Sequence, residues 1–266
     1  MLYVEINGAA PSIADLHRVA VVNYGHFTSM QVRGNRVRGL DLHLRRLDAA
    51  SKELFMTTPG VDRIRSLLRQ ALDQVPGDVS ARIAIFARSG DLAVPTPDVD
   101  LAVMVSLNDP VSDTPQAPWS VRSIPYLRES VHLKHTATMG LTRARRVAKS
   151  QGFDDAVFTG PGGLILEGSI WNLGLWDGET VTWPQAPKLP GITEQLLTMG
   201  LHRIGVRTRT RPVVAQDLAD YQAAFASYSW CPAQPLARVD DVSFANPPEA
   251  FTLLGKAWDS VPWETV

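Results

Sequence analysis

Lysine is scarce in this chain: Lys52, Lys134, Lys149, Lys188 and Lys256 stand against twenty-one arginines. A sequence so biased towards arginine replaces a dispensable surface lysine readily, so each survivor is a candidate reactive amine. Lys52 and Lys149 fall on stretches with amphipathic helical periodicity, and Lys256 lies in a C-terminal helical stretch. Solvated helix faces account for all three. Lys134 is different. It sits in the loop PYLRESVHLKHTATMG (125–140), just after Val131 and Leu133, which flank His132, and just before a new helix. A partly desolvated lysine loses its proton more easily and becomes the amine nucleophile that Schiff-base chemistry needs. On position alone, a structural role remains the simpler account.

Two further places could complete such a site. LEGSIWNLG (166–174) puts Glu167 at a strand-to-turn junction among Leu164, Leu166, Ile170 and Trp171. A carboxylate buried there needs a cation, because an unpaired buried charge is costly. KLPGIT (188–193) puts a glycine and the Thr193 hydroxyl at the start of a helix. Free backbone N–H groups and the helix dipole favour a phosphate at such a start. The alternative is an ordinary helix N-terminus with Thr193 as its cap.

Composition excludes several other functions. A formal net charge of -1 and only short arginine clusters, Arg143, Arg145 and Arg146 among them, give no footprint for nucleic acid. Those arginines read as a solvated helix face. No apolar stretch reaches the ~20 residues of a membrane helix. MLYVEINGAAPS has no basic region followed by an apolar core, so no secretory signal is expected. The single Cys231 can form no internal disulfide, and no Cys/His cluster has zinc spacing, so no metal is expected. No GxSxG surrounds any serine, which removes the usual hydrolase arrangement. The chain is expected to be soluble and cytoplasmic.

The elements that must position these residues follow from periodicity. Residues 1–6 read as a strand ending at Asn7-Gly8, and VAVVNYG (19–25) as a buried strand. MQVRGNRVRGL reads as a hairpin turning at Gly34-Asn35. Leu42, Leu44, Leu47, Ala50 and Leu54 recur at helical spacing, and a second helix is predicted over 61–75. ARIAIFA (81–87) and VDLAVMVSL (99–107) are strands. The aperiodic NDPVSDTPQAP (108–118) is the expected linker between a domain over 1–112 and a larger one over 119–266. Beyond it, a strand at 119–124, a helix at 141–151, strands in DDAVFTG, GLILEGS and NLGLWDGETVTW, and a helix near Thr193 are predicted. The last third reads as a strand (VRTRTRPV), a short helix (AQDLADY) and two strands (AAFASYS, PLARVDDV). The fold class is α/β, or mixed α+β, with two lobes.

Taken in order, HLRRL (43–47), LKH (133–135), GFDDAVFT (152–159), ILEGSIWNLG, LPGIT and ASYSWCPAQPLARVD (226–240) resemble the class IV aminotransferases, the fold-type-IV pyridoxal 5′-phosphate (PLP) enzymes. The likeness spans roughly residues 20–240. Its members include branched-chain and D-amino-acid aminotransferases, (R)-amine transaminases and aminodeoxychorismate lyase. The resemblance implies a two-lobed architecture with PLP between the lobes, a homodimer, and small-molecule partners: an amino donor and an oxo acceptor. It implies that Lys134 holds the cofactor as a Schiff base and shuttles the proton. It places Glu167 at the pyridine nitrogen and Arg46 on the phosphate. Ile192 and Thr193 would add donors to that phosphate, and Ser229 a hydroxyl.

The chain departs from its relatives around the substrate. Where aminotransferases carry a tyrosine beyond the lysine, this sequence has Met139; lyase relatives lack that tyrosine too. YGHFTSMQV (24–32) is nearer the lyase pattern, with Phe27 lining the pocket, Tyr24 close by and Thr28 or Ser29 able to touch substrate. A half-buried hairpin strand is the alternative reading. Arg88 is a candidate for a substrate carboxylate, a solvent-facing arginine being the simpler account. The expected activity is amino-group transfer. The alternatives are aminodeoxychorismate lyase, releasing p-aminobenzoate and pyruvate, and a PLP-binding protein without catalysis.

Overall fold

A computed structural model describes residues 1–266, and the chain divides into two units. The first is Met1–Val111, Leu133–Ala137 and Trp263–Val266; the second is Ser112–His132 and Thr138–Pro262. The first break falls inside the aperiodic stretch 108–118. A division into two uninterrupted domains is too simple, however. Two short segments from beyond that stretch return to the first unit, because their backbones pair with its strands.

The first unit contains β1 (Tyr3–Ile6), α1 (Ile13–Val21), β2 (Gly25–Val32), β3 (Arg36–Arg38), α2 (Leu40–Phe55), α3 (Val61–Asp73), β4 (Val79–Ala87) and β5 (Leu101–Asn108). Its antiparallel sheet has the order β1-β5-β4-β2. One face is apolar: Met30, Val32, Ile83, Ile85, Val103 and Val105 share a core with Leu44 and Leu47 of α2 and with Ile64 and Leu68 of α3. Each such fully buried side chain contributes roughly 1.5–3 kcal/mol, so the helical periodicity of α2 has a direct packing cause. The turn after β2 is the predicted one, with Gly34 and Asn35 both left-handed (φ 53° and 58°).

The run 19–25 is not a buried strand. Ser12 caps α1 by accepting from the Asp15 N–H (3.1 Å), and Asp15, on the inner side, takes two bonds from Arg88 (2.8 and 3.2 Å). A cap and a bidentate ion pair commit residues 13–21 to helix. Val21 is left exposed, and the strand starts only at Gly25.

The second unit contains β6 (Trp119–Pro125), α4 (Met139–Ser150), β7 (Asp155–Thr159), β8 (Ile165–Gly168), β9 (Asn172–Trp176), β10 (Thr180–Pro184), α5 (Ile192–Arg203), β11 (Arg207–Arg211), β12 (Ala223–Tyr228), β13 (Cys231–Val239), β14 (Val242–Ser243) and α6 (Pro248–Asp259). One mixed sheet runs β11-β10-β9-β12-β13-β6-β7-β8, with β14 beside β13. The expected short helix at AQDLADY is a 3-10 turn, and the strand expected in PLARVDDV begins earlier, at Cys231. Trp183, Phe225, Leu197, Leu201 and Leu254 form the core beneath α5 and α6. The chain then returns to the first unit. β15 (Trp263–Thr265) pairs with β3, and the Arg69 guanidinium holds the Val266 carbonyl (3.1 and 2.6 Å).

Glu5 is a local misfit with a measurable consequence. It is fully buried on β1, accepts only from the Tyr3 hydroxyl (3.2 Å), and its Oε1 has no partner. Burial pushes its carboxyl above the ordinary 4.5, with the Tyr3 bond opposing. Folding therefore favours the protonated acid, and this stabilisation is complete at low pH and lost as pH rises through the folded-state value. Glu5→Gln is expected to raise Tm at pH 8 by about 2–4 °C, equivalent to about 1 kcal/mol, with little change at pH 4. Thermal unfolding at both pH values checks this; an equal shift at each would exclude titration of Glu5 as the cause.

Candidate active site

In the first unit, the segment 133–137 adds itself to the open edge of β2. The Phe27 N–H donates to the Lys134 carbonyl (2.9 Å), the Thr136 N–H donates to the Gly25 carbonyl (2.8 Å), and His26 bridges to His135. Antiparallel alternation then puts Lys134 on the same face as Phe27. Its Nζ stands 5.0 Å from the centre of the Phe27 ring, and the Arg82 guanidinium carbon stands 3.7 Å from that ring. Half-buried Ser29 is next along this face, paired with Arg82 across the ladder.

Thr28 turns the other way, towards α2. Its hydroxyl lies 2.6 Å from His43 Nδ1, and His26 Nε2 lies 2.9 Å from the Ser51 hydroxyl. Burial pushes His26 down to about 4 and His43 down to about 3, with Arg46 and Lys134 adding to the second shift. Both imidazoles are therefore neutral at physiological pH. Arg46 follows His43 by nearly one helical turn, and burial pulls its guanidinium down to about 10.

The other two residues proposed to meet substrate are elsewhere in this unit. The Tyr24 hydroxyl donates to the Leu54 carbonyl (3.2 Å). Tyr24 lines a cavity of about 630 Å³ with Phe55, Leu92 and Asp98, and neither Lys134 nor Phe27 borders it. Arg88 is engaged by Asp15 and lies within 3.9 Å of Asp100, so its guanidinium supports α1.

In the second unit, Glu167 on β8 is buried and both its oxygens are engaged. Arg128 Nε donates to Oε1 (3.1 Å) and the Leu189 N–H donates to Oε2 (3.0 Å). Arg128 is the cation that the buried carboxylate requires, and it also binds the Val131 carbonyl. The strand that carries Glu167 is fixed behind it, where the Ser169 hydroxyl donates to the fully buried Asp155 (2.6 Å). Gly168 is obligatory here: a Cβ would run into the Trp171 ring.

α5 begins at Gly191 with no side-chain cap, so Thr193 is the second helical residue and not the cap. Ile192 and Thr193 are both buried. The Asn172 amide donates to the Leu189 carbonyl (3.0 Å), and its Oδ1 fills the space that a Cβ at Gly191 would need. Across the ladder from Asn172 stands Ser227, whose buried hydroxyl has no partner. Ser229 follows in the turn between β12 and β13, half-buried. An uncapped helix start with an orphaned buried hydroxyl beside it suits an anion, and a phosphate in particular. Met139 is 83% exposed at the start of α4, so the departure there leaves no methionine in a buried pocket.

Arg128, Asn172, Arg82 and the Thr28–His43 pair escape a reading of the sequence. Arg128 had a signal, since a buried Glu167 demands a cation and YLRES lies in the same loop as Lys134. Arg82 had one too, in strand alternation, because it faces the same side as Phe27. The partners of Asn172 and His43 are set by tertiary contact alone.

The sequence profile described as Amino-transferase class IV matches residues 25–239. Among curated protein sequences, none matches the chain. The fold is that of the branched-chain aminotransferase of Thermoproteus uzoniensis solved with norvaline, at 14% identity over 96% of this chain and 92% of that one, with a TM-score of 0.84. It is also similar to a putative 4-amino-4-deoxychorismate lyase of Legionella pneumophila (21% identity, 92% and 94% covered, TM-score 0.79). A hypothetical aminotransferase of Mycobacterium tuberculosis in its PLP-bound form also matches (22% identity, 92% and 90% covered, TM-score 0.76). With four-fifths of its length matched in one register, the chain belongs to the class IV aminotransferase family.

Proposed function

We propose that the protein is a PLP-dependent aminotransferase in which Lys134 carries the chemistry. The observation that bears most weight is the placement of Lys134, its backbone locked to the edge of β2 and its amine held over Phe27 beside Arg82. When bound, PLP supplies an aldehyde that condenses with amines and a ring that withdraws electron density from the substrate α-carbon. Lys134 Nζ holds the cofactor, then accepts the α-proton and returns it. Glu167 keeps a proton at the ring nitrogen: two of its roughly four acceptor sites are taken by Arg128 and Leu189, which leaves room for a third donor. Arg46 binds the phosphate, together with the Ile192 and Thr193 N–H groups and the Ser229 hydroxyl. Phe27 and Ser29 form a wall for the substrate, and Arg82 takes its carboxylate. The substrates are a small amino donor and an oxo acceptor.

A second reading is elimination from aminodeoxychorismate, with release of p-aminobenzoate and pyruvate. The Phe27–Thr28–Ser29 pattern favours it, and the Legionella likeness is compatible with it. Both reactions start with removal of the α-proton by Lys134. Absorbance separates them: amino donors are expected to convert the bound cofactor to its pyridoxamine form, whereas p-aminobenzoate release would establish the lyase. Neither change, in a protein that holds PLP, would mean a binder without catalysis.

Borohydride reduction of the PLP-loaded protein is expected to label the peptide containing Lys134, and Lys134→Ala to lower turnover by about 10³-fold or more. A label on Lys149 or Lys188 instead would overturn the assignment. Arg82→Gln is expected to raise KM for an α-amino acid about tenfold, the cost of one charge-assisted contact, with kcat nearly unchanged. An amine donor without a carboxylate should be unaffected. Equal losses on both donors would remove Arg82 from carboxylate recognition.

A further inference from the structure

We infer that Lys188 is a positioning residue for Glu167: its buried ion pair neutralises Glu194 and anchors the turn whose backbone bonds Glu167. The inference rests on the role given to Glu167 under the proposed function.

Lys188 Nζ donates to Glu194 Oε1 (2.6 Å), and their side chains are only 11% and 15% exposed. Glu194 stands in the first turn of α5, two residues beyond Ile192, and its Oε2 is buried without a partner. Burial drives the Glu194 carboxyl above its ordinary value; Lys188 opposes this, and the neighbouring Glu167 adds to it. Four charged groups from four parts of the second unit therefore share one buried place. They are Arg128 from the loop after β6, Glu167 from β8, Lys188 from the loop after β10, and Glu194 from α5. The Trp183 ring covers Lys188 at 5.9 Å. Each carboxylate holds one cation. With Lys188 lost, the Glu194 carboxylate would stand buried and unpaired beside Glu167, which favours its protonation.

Lys188 is also mechanically coupled to Glu167. The next residue, Leu189, gives its N–H to Glu167 and its carbonyl to Asn172, and Gly191 opens the helix two residues later. The bond from Lys188 to Glu194 closes this turn over itself. A purely structural role would make loss of Lys188 costly at every pH. The electrostatic role predicts a cost that depends on pH and vanishes when Glu194 is neutral.

The test uses wild type, K188M, E194Q and K188M/E194Q, the double variant leaving neither partner of the pair charged. Without cofactor, K188M is expected to lose stability progressively between pH 5 and 8 in urea unfolding, and the double variant is not. With PLP, the acid transition in the cofactor's absorbance is expected to move up by about one pH unit or more in K188M. It should move down in E194Q and return to the wild-type position in the double variant. Should K188M not fold, the shift of E194Q against the double variant decides. If wild type takes up no PLP, the reading of Glu167 falls, and the inference with it. If it takes up PLP and all four transitions superimpose, or the unfolding cost of K188M is the same at every pH, the inference alone falls.

Discussion

A carboxylate buried at the end of a strand has to be compensated, and much of the second unit is arranged around that need at Glu167. Removing one partner from a buried ion pair costs about 3–5 kcal/mol, so Arg128 must arrive from the loop after β6 and Leu189 from the loop before α5. Those requirements fix two irregular segments that have no regular hydrogen-bond ladder of their own. The Ser169–Asp155 bond and the contact of Gly168 with Trp171 then hold the β8–β9 turn at the depth these partners can reach. Buried charge here organises loops rather than adding net stability. That is its usual value, because desolvation offsets most of the Coulombic gain.

The first unit solves a different problem by the same kind of constraint. β2 is an edge strand, and an open edge presents unpaired N–H and carbonyl groups. The segment 133–137 covers those at Gly25 and Phe27. A lysine in an unrestrained loop would sample many rotamers and orientations. With its own carbonyl bonded to the Phe27 N–H, Lys134 has both its face and its register assigned. Alternation does the rest: Phe27, Ser29 and Arg82 share the lysine's side, and Thr28 and His26 turn to α2. The parity of one strand puts Ser29 on the lysine's side and turns Thr28 to α2.

Legibility follows the range of the interaction that fixes each feature. α2, α3, the Gly34-Asn35 turn and most strands are local, and their periodicity or turn chemistry stands in the sequence. The run 19–25 is apolar enough for a strand. Its fate is decided by the Ser12 cap and by the ion pair of Asp15 with Arg88, seventy-three positions apart, and only the first is a local signal. Lys134, Glu167 and the helix start at Thr193 stand out in the sequence as candidates, because they fall at the family's spacing. Thr193 as a cap could not be excluded until Gly191 was seen to occupy that place, with Asn172 filling the room of its Cβ. Arg128, Asn172 and Lys188 owe their importance to partners on other elements, and no spacing rule reaches them.

The neutral histidines complete the electrostatic account of the first unit. Arg46 and Lys134 are both close enough to His43 to disfavour its charge, and burial disfavours it more. A protonated His43 would make three cations in one place, and their mutual repulsion in a buried setting would be costly. Holding His43 neutral leaves Nδ1 committed to Thr28 and joins β2 to α2 by a short bond that carries no net charge. Arg46, three residues on, is thus carried by a helix whose seat on the sheet is set by hydrogen bonding and packing.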